Sequence, residues 1–458
     1  MIKIHNTYTR ELEPLMPIEP GKIRMYVCGP TVYNYIHIGN ARSVVAFDVV
    51  RRYLEWRGFE VDYVSNFTDI DDKIINRARE EGKSPAEISE KYIKAFYEDI
   101  DALNVERATH NPKATEYVEQ MIDFVQDLLD KDFAYISEGN VYFRVSKAHD
   151  YAKLANKNLA ELIEGASGRT DADEENGRKE SPADFALWKA AKPDEISWPT
   201  PWGNGRPGWH LECSVMSGEL LGKTLDIHGG GADLEFPHHT NEIAQSEAHT
   251  GQKFVNIWMH NGFVNFDGEK MSKSLGNFKT VHEMLETGLN PQVLRFFLAA
   301  THYRRPLDFT DAALELAGNN LKKIENAYRK LHDSQHQREA IVSSKLDAYI
   351  SRFEEAMDED FNIANGLTVF YDFIAAVNTG EMYGSRAERF FDDVLKIIGI
   401  TLKSEPEILD EEIERMIQAR QLAREMRDYE KSDQIRDQLK SQGIVLEDTA
   451  EGMRWYRA

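Results

Sequence analysis

The stretch Lys22-Ile23-Arg24-Met25-Tyr26-Val27-Cys28-Gly29-Pro30-Thr31-Val32-Tyr33-Asn34-Tyr35-Ile36-His37-Ile38-Gly39-Asn40 decides the fold. It starts as an apolar strand and breaks at Gly29-Pro30. The spacing of Val44, Val45, Phe47, Val49, Val50, Tyr53 and Leu54 then predicts a helix from about Ala41. A strand that ends in a turn and feeds a helix is the opening half of a nucleotide-binding βαβ unit. Peptide N–H groups at such a helix start are placed to meet phosphate. His37 and Asn40 sit at the junction, and a metal-capable thiol, Cys28, sits at the strand end.

Outward from there, Gly58 ends the helix and Val61–Thr68 reads as the next strand, closing a right-handed crossover. Its end carries Asn66, Thr68, Asp69, Asp71 and Asp72, followed by a helix from Lys73. Ligands gather at the carboxyl ends of such strands, which makes Thr68 a site candidate; the aspartates serve equally well as helix caps. Residues 84–130 read as helical, with Ser84-Pro85-Ala86-Glu87 as a start. Residues 131–215 read as an insertion. It holds a hairpin around Ser137-Glu138-Gly139, a polar surface loop over 165–181 and a strand over Phe185–Lys189.

The sheet resumes with Leu225-Asp226-Ile227-His228-Gly229-Gly230-Gly231-Ala232-Asp233, a strand, a glycine run and an acid suited to a ribose hydroxyl. A triple glycine alone is more often a turn. A helix from Phe236 to about His249 and a strand over Phe254–His260 lead to Glu269-Lys270-Met271-Ser272-Lys273-Ser274-Leu275-Gly276-Asn277. From Val281 nearly everything reads as helical. Segments 311–335, 343–359, 362–379 and 386–399 suit a bundle, and a linker near 400–409 precedes a small terminal module.

A chain of 458 residues accommodates two to four domains. Its formal net charge of −23 excludes a generic nucleic-acid coat, though not a local basic face. No run approaches the ~18 apolar residues of a membrane span, and the N-terminus lacks the apolar core of a signal peptide. The expectation is a cytoplasmic protein with no membrane partner. Two cysteines, Cys28 and Cys213, make no disulfide framework.

Two constellations carry chemistry. His238 and Glu242, at i and i+4, share a helix face, and with Cys28 and Cys213 they form a set of ligand types that zinc accepts. No local CxxC spacing supports the set, and by spacing His239 is an equally good ligand. The second pairs His37-Ile38-Gly39-Asn40 with Lys270-Met271-Ser272-Lys273-Ser274. One parallel sheet would bring both to one crevice, where two lysines would neutralise a triphosphate.

With these segments in view, the chain resembles the cysteinyl-tRNA synthetase family of class I aminoacyl-tRNA synthetases over essentially its whole length. The resemblance rests on Cys28–Tyr33, His37–Arg42, Asn66–Lys73, Gly205–Ser214, His228–Leu234, Phe236–Glu242 and Lys270–Asn277. It implies an α/β Rossmann-type parallel-sheet catalytic domain with a connective insertion, then an α-helical bundle and a small C-terminal anticodon-recognition module. The boundaries would be 1–130 and 216–269 for the two catalytic halves and 131–215 for the insertion. A lysine-loop stem-contact fold would take 270–310, the bundle 311–405 and the module 406–458.

The resemblance implies ATP-dependent ligation of L-cysteine to tRNA(Cys) through a cysteinyl-adenylate, with Mg2+ accompanying ATP. It selects Cys28, Cys213, His238 and Glu242 as ligands of one Zn2+ that holds the substrate thiolate. His37, Asn40, Lys270 and Lys273 would be catalytic. His37, Gly39, Asn40, Gly230, Asp233 and Lys273 would bind ATP, and Gly29, Thr68, Trp209 and His228 would contact cysteine. Arg436, Lys440, Arg454 and Arg457 are plausible tRNA contacts in the module, or a solvated face.

Asn40 stands where the general class I motif has His, Thr240 where the family usually has Glu, and Met453-Arg454-Trp455 where it usually shows a Thr-containing turn. Two alternatives are a cysteine ligase acting on an amino-sugar and a non-catalytic RNA-binding paralogue. The Ala423–Trp455 region argues against the first. Intact His37, Lys270, Lys273 and the ligand set argue against the second.

Overall fold

The computed structural model describes residues 1–157, 178–193, 195–266, 269–270, 279–332, 343–402, 411–426, 428–441, 444–449 and 452–457. Strands β1 (Lys3–Asn6) and β2 (Glu11–Pro14) form an N-terminal hairpin. Then β3 (Lys22–Val27), α1 (Ile38–Trp56) and β4 (Glu60–Val64) make the expected βαβ unit, with β3 parallel to β4. The helix starts at Ile38 rather than near Ala41 because His37 caps it. Strand β4 stops at Val64, and Asn66–Thr68 belong to the loop beyond it.

Helices α2 (Asp72–Glu81), α3 (Pro85–Ala102) and α4 (Val118–Asp130) follow. The helical reading of 84–130 fails between α3 and α4. There the chain runs extended beside β4, bridging Val64 with His110 and Phe67 with Lys113. Asn111-Pro112 explains this, since the residue before a proline is driven out of helical conformation. Strands β5 (Ala134–Ser137), β6 (Asn140–Phe143), β7 (Phe185–Ala190) and β8 (Gly205–Pro207) form a separate antiparallel sheet in that order.

The chain returns through α5 (Trp209–Leu221), β9 (Leu225–Gly231), α6 (Thr240–Thr250) and β10 (Val255–Asn261). Helix α6 starts at Thr240, four residues later than the sequence suggests. The central sheet has the order β10-β9-β3-β4, all parallel. Its faces alternate as period 2 requires. Ile23, Met25, Ile227, Ile257 and Met259 join the core that packs α1 and the later helices, while Tyr26 and Trp258, on the other face, join the core under α4 and α5. Phe47 of α1 is 1% exposed, and truncating such a side chain costs about 3–5 kcal/mol.

Strands β11 (Val264–Phe266), β12 (Glu269–Lys270) and β13 (Leu307–Phe309) make a small sheet around α7 (Val281–Glu286) and α8 (Pro291–Ala299) in sequence. Helices α9 (Asp311–His332), α10 (Ser343–Asp358), α11 (Ile363–Asn378) and α12 (Ser385–Ile398) complete the first unit, Met1–Leu402. The second unit, Lys403–Ala458, holds α13 (Glu411–Glu425) and α14 (Tyr429–Ser441). It ends in the hairpin β14 (Ile444–Thr449) with β15 (Gly452–Arg457), where Leu439 is the buried centre. Among the described residues no helix is long and apolar enough to cross a membrane.

Candidate active site

Strand β3 delivers Cys28 to the carboxyl edge of the sheet, where its N–H donates to Gly229 O at 3.2 Å. The next residue lies so close to the β4 loop that a Cβ on Gly29 would stand 1.7 Å from Asn66 O. Gly29 N–H donates to Asn66 Oδ1 at 3.0 Å. Thr68 clamps the same turn through its backbone, with Thr68 N–H to Pro30 O at 3.2 Å and Val32 N–H to Thr68 O at 3.1 Å. Its buried hydroxyl donates to Glu212 at 2.7 Å.

Around Cys28 the predicted ligands converge. Cys213 comes from α5, His238 from the turn before α6, and Glu242 from its first turn, with all four ligand atoms within 4.8 Å of one another. Cys28 Sγ is 3.6 Å from Cys213 Sγ and 3.5 Å from Glu242 Oε1, and His238 Nε2 is 3.0 Å from Glu242 Oε1. Cys213, His238 and Glu242 are buried, and Cys28 is the partly exposed member. Trp209, the first residue of α5 and 38% exposed, stacks on the His238 ring at 4.2 Å.

A second set shares two members: Cys28, His228, His239 and Glu242. His239 Nε2 is 3.3 Å from Cys28 Sγ, and its Nδ1 is 2.7 Å from His260 Nε2, whose Nδ1 reaches Thr7 Oγ1 at 2.9 Å. His228 is fully buried behind Glu242 and stacks on Trp258 at 4.5 Å. Spacing left His238 and His239 equal, and both reach the cluster. His260 and His210 escaped the sequence reading. His210 Nδ1 lies 3.0 Å from His238 Nδ1. The signal for His260 was a polar residue two positions after Trp258 in an apolar strand, hence on the same face.

The charges fit a cation. Burial raises the Glu242 carboxyl, but His228 and His238 outweigh it and bring it to about 2. Burial lowers His238, but Glu242 and Cys213 carry it up to about 10. Burial pushes both thiols up; it prevails at Cys28, whereas at Cys213 the bond from Cys28, together with His238, outweighs it and brings the thiol down to about 6. His238 Nε2 is nonetheless buried without a hydrogen bond of proper geometry. A thiolate, a carboxylate and an imidazole nitrogen aimed at one point suit a divalent metal, whose charge would replace the imidazolium proton.

The His37 turn is built locally. Asn40 N–H donates to His37 Nδ1 at 3.1 Å, and His37 N–H donates to Asn40 Oδ1 at 3.3 Å, a reciprocal cap. A Cβ on Gly39 would press on the His37 ring at 2.8 Å. Residues 279–282 lie against this turn. Ile38 N–H donates to Lys279 O at 3.1 Å, Val281 N–H donates to Ile36 O at 3.0 Å, and Tyr35 stacks on His282 at 4.2 Å. Lys270 pairs by its backbone with Asn265; its side chain and Lys273 lie outside the described residues, as does loop 165–177.

Two glycines of β9 have packing reasons. A Cβ on Gly229 would be 2.3 Å from Phe47, and one on Gly230 would be 2.8 Å from Leu234. Asp233 is exposed just past the strand end.

Residues 14–319 match the model of the tRNA synthetases class I (C) catalytic domain, 352–402 the DALR domain, and 407–455 the cysteinyl-tRNA ligase anticodon binding domain. The chain is 70% identical over 456 residues to the cysteine–tRNA ligase of Lactococcus lactis subsp. cremoris strain SK11, covering 100% of both. It is 59% identical to that of Streptococcus pneumoniae strain R6 (ATCC BAA-255), again over 100% of both chains. Among solved structures, methionyl-tRNA synthetase of Mycobacterium tuberculosis with methionyl-adenylate shares the fold at TM-score 0.59 and 14% identity, over 82% of this chain and 88% of that one.

Proposed function

This chain belongs to the cysteinyl-tRNA synthetase family, ATP-dependent ligases that join cysteine to tRNA(Cys), and we propose that it does so around a zinc site formed by Cys28, Cys213, His238 and Glu242. The observation that carries the reading is the convergence of those four side chains within 4.8 Å at the sheet edge from which the His37 turn departs. Two sulfur donors make this set a better zinc seat than the one built on His228 and His239. Zinc, when bound, supplies a Lewis acid that takes up a thiolate far more readily than a hydroxyl.

The chain's own groups do the rest. Trp209 roofs the cluster beside partly exposed Cys28, so substrate cysteine enters there, with the Gly29 turn as its floor. Thr68 acts from behind, fixing that turn through its backbone, and His228 fixes Glu242. The turn opening α1, with His37, Gly39 and Asn40, meets the ATP phosphates, while Gly230 and exposed Asp233 face the ribose. The cysteine carboxylate attacks the α-phosphorus and pyrophosphate leaves, its growing charge met by His37, Lys270 and Lys273. A terminal ribose hydroxyl of the tRNA then attacks the carbonyl of the adenylate and AMP leaves. Positioning and fixed charge suffice, with no covalent enzyme intermediate.

The anticodon-binding match over 407–455 leaves an amino-sugar ligase or an inert paralogue without support. Thiols 3.6 Å apart that must stay reduced for this role favour work in the cytoplasm. Metal analysis of the purified protein, paired with cysteine-dependent ATP–pyrophosphate exchange and tRNA charging, tests the reading. One zinc per chain and both activities are expected. Charging without bound metal would overturn the metal assignment alone.

A further inference from the structure

A cleft of about 490 Å3 opens between α6, the turn that follows it and the edge strand β10, and Tyr8 of the turn between β1 and β2 lines it as well. Ile243, Val255 and Trp258 are its apolar lining, while Tyr8, Glu247, Gln252 and Lys253 bring polar groups. This size, and an apolar wall with a few polar groups, are what small-molecule sites generally have. Glu247 is tied into the turn. Its carbonyl accepts Gly251 N–H at 2.8 Å, and its Oε1 accepts Phe254 N–H at 3.0 Å. Gly251, at φ +68°, supplies the left-handed reversal that ends α6 and brings Lys253 to the same cleft as Glu247.

The charges of the cleft are not spent on each other. Among the described residues no ion pair joins Glu247 to Lys253, and neither Glu247 Oε2 nor the Tyr8 hydroxyl has a hydrogen-bond partner. Lys253 Nζ makes one long bond, 3.5 Å to Asn256 O. Burial raises the Tyr8 hydroxyl, and Glu247 and then Asp150 raise it further, which puts the Glu247 carboxylate near that ring. We propose that this cleft is a second ligand site, for a zwitterionic amino acid with a large apolar side chain. Its ammonium meets Glu247 and Tyr8, its carboxylate meets Lys253, and its side chain lies against Ile243, Val255 and Trp258. Such charge-assisted bonds are the strong ones, and opposite charges kept apart on one pocket select a molecule that carries both. Trp258 also stacks on His228 at 4.5 Å, so the cleft shares an indole with the surroundings of the metal cluster but none of its ligands. The proposal stands apart from the ligase reading and needs no bound metal.

The test is titration calorimetry on the full chain with L-phenylalanine as the probe. One site per chain is expected, with the same affinity when cysteine is present at saturation and in His238→Ala. Phenethylamine, which lacks the carboxylate, and 3-phenylpropionate, which lacks the ammonium, should each bind about 10-fold more weakly or worse. Glu247→Gln keeps an oxygen for the Phe254 N–H, and Lys253→Met keeps the apolar stem of an exposed side chain, so both variants should retain the wild-type melting temperature. Each should weaken phenylalanine binding by about 10-fold. The proposal is overturned if phenylalanine at millimolar concentration does not bind, if cysteine displaces it, if the amine or the acid alone binds as tightly, or if either variant binds it as wild type does.

Discussion

The Nε2 of His228 lies 2.8 Å from Oε2 of Glu242, and both side chains are fully buried. That bond occupies one carboxylate oxygen and leaves Oε1 facing Cys28 and His238. His228 therefore decides which oxygen Glu242 presents. Replacing His228 by Ala should weaken metal affinity by about 10- to 100-fold, as loss of a ligand's hydrogen-bond partner generally does. Chelator competition reads this, and an unchanged affinity would show that Glu242 needs no help.

Serine differs from cysteine by one atom, and size alone discriminates by only about 10- to 200-fold. The residues of the cluster provide the alternative, a sulfur-rich metal seat. In cobalt-substituted protein, cysteine should change the cobalt–thiolate charge-transfer band and serine should not. Cys213→Ser or His238→Ala should lose metal and cysteine affinity together while ATP binding is less affected. A cobalt spectrum indifferent to cysteine, with adenylate still forming, would make the metal merely structural.

Charge grows on pyrophosphate toward the transition state, so Lys273→Ala should slow adenylate formation far more than it weakens cysteine binding. Loss of one such donor typically costs about 2.7–4 kcal/mol. His37→Ala should behave alike, although part of its loss would come from uncapping α1, which costs about 0.5–2 kcal/mol. Exchange at saturating ATP equal to wild type would rule out the role.

A chain ended at Leu402 keeps the whole first unit. It should still exchange pyrophosphate and lose most tRNA charging, because the unit matched as anticodon-binding is gone. Charging at the full-length rate by a folded truncation would refute this division.

Asp99 of α3 is 2% exposed, and its Oδ2 has no hydrogen-bond partner. Burial raises its carboxyl to about 7, against a small pull from His282. An acid raised in the folded state holds a proton that the unfolded chain has released. Its contribution to stability is full below the ordinary carboxyl range and is lost as pH rises through about 7. Asp99→Asn should therefore flatten the fall in melting temperature between pH 5 and 8 and stabilise the protein at pH 8. Parallel pH profiles for wild type and variant would disprove it.

Much of the site was legible because its parts are local. The strand, break and helix around Gly29 and His37 follow from an apolar run, a glycine-proline break and helical apolar spacing within a few residues, whereas the His37 cap that moves the helix start to Ile38 was not legible. The pairing of His238 with Glu242 was legible from their spacing, although His238 sits in the turn before α6 and not on the helix. The long helical reading of 84–130 fails where His110–Lys113, with Pro112 among them, extend the sheet edge beside β4, a non-local pairing that helical periodicity does not report.

By itself the amino-acid sequence determined most of the element types, the available ligand chemistries and, through resemblance, the family. Tertiary structure alone decided which of them meet. Cys28 and Cys213 are separated by 185 positions and come within 3.6 Å because β9 inserts beside β3 in the order β10-β9-β3-β4 and α5 packs on that sheet. The same order sets His228 opposite Trp258 and behind Glu242, and brings His239 to Cys28 beside His238. Local periodicity assigns a side chain to a face of its own element. Which faces are brought together depends on strand order and helix packing, and these are settled by burial of apolar surface across the whole chain.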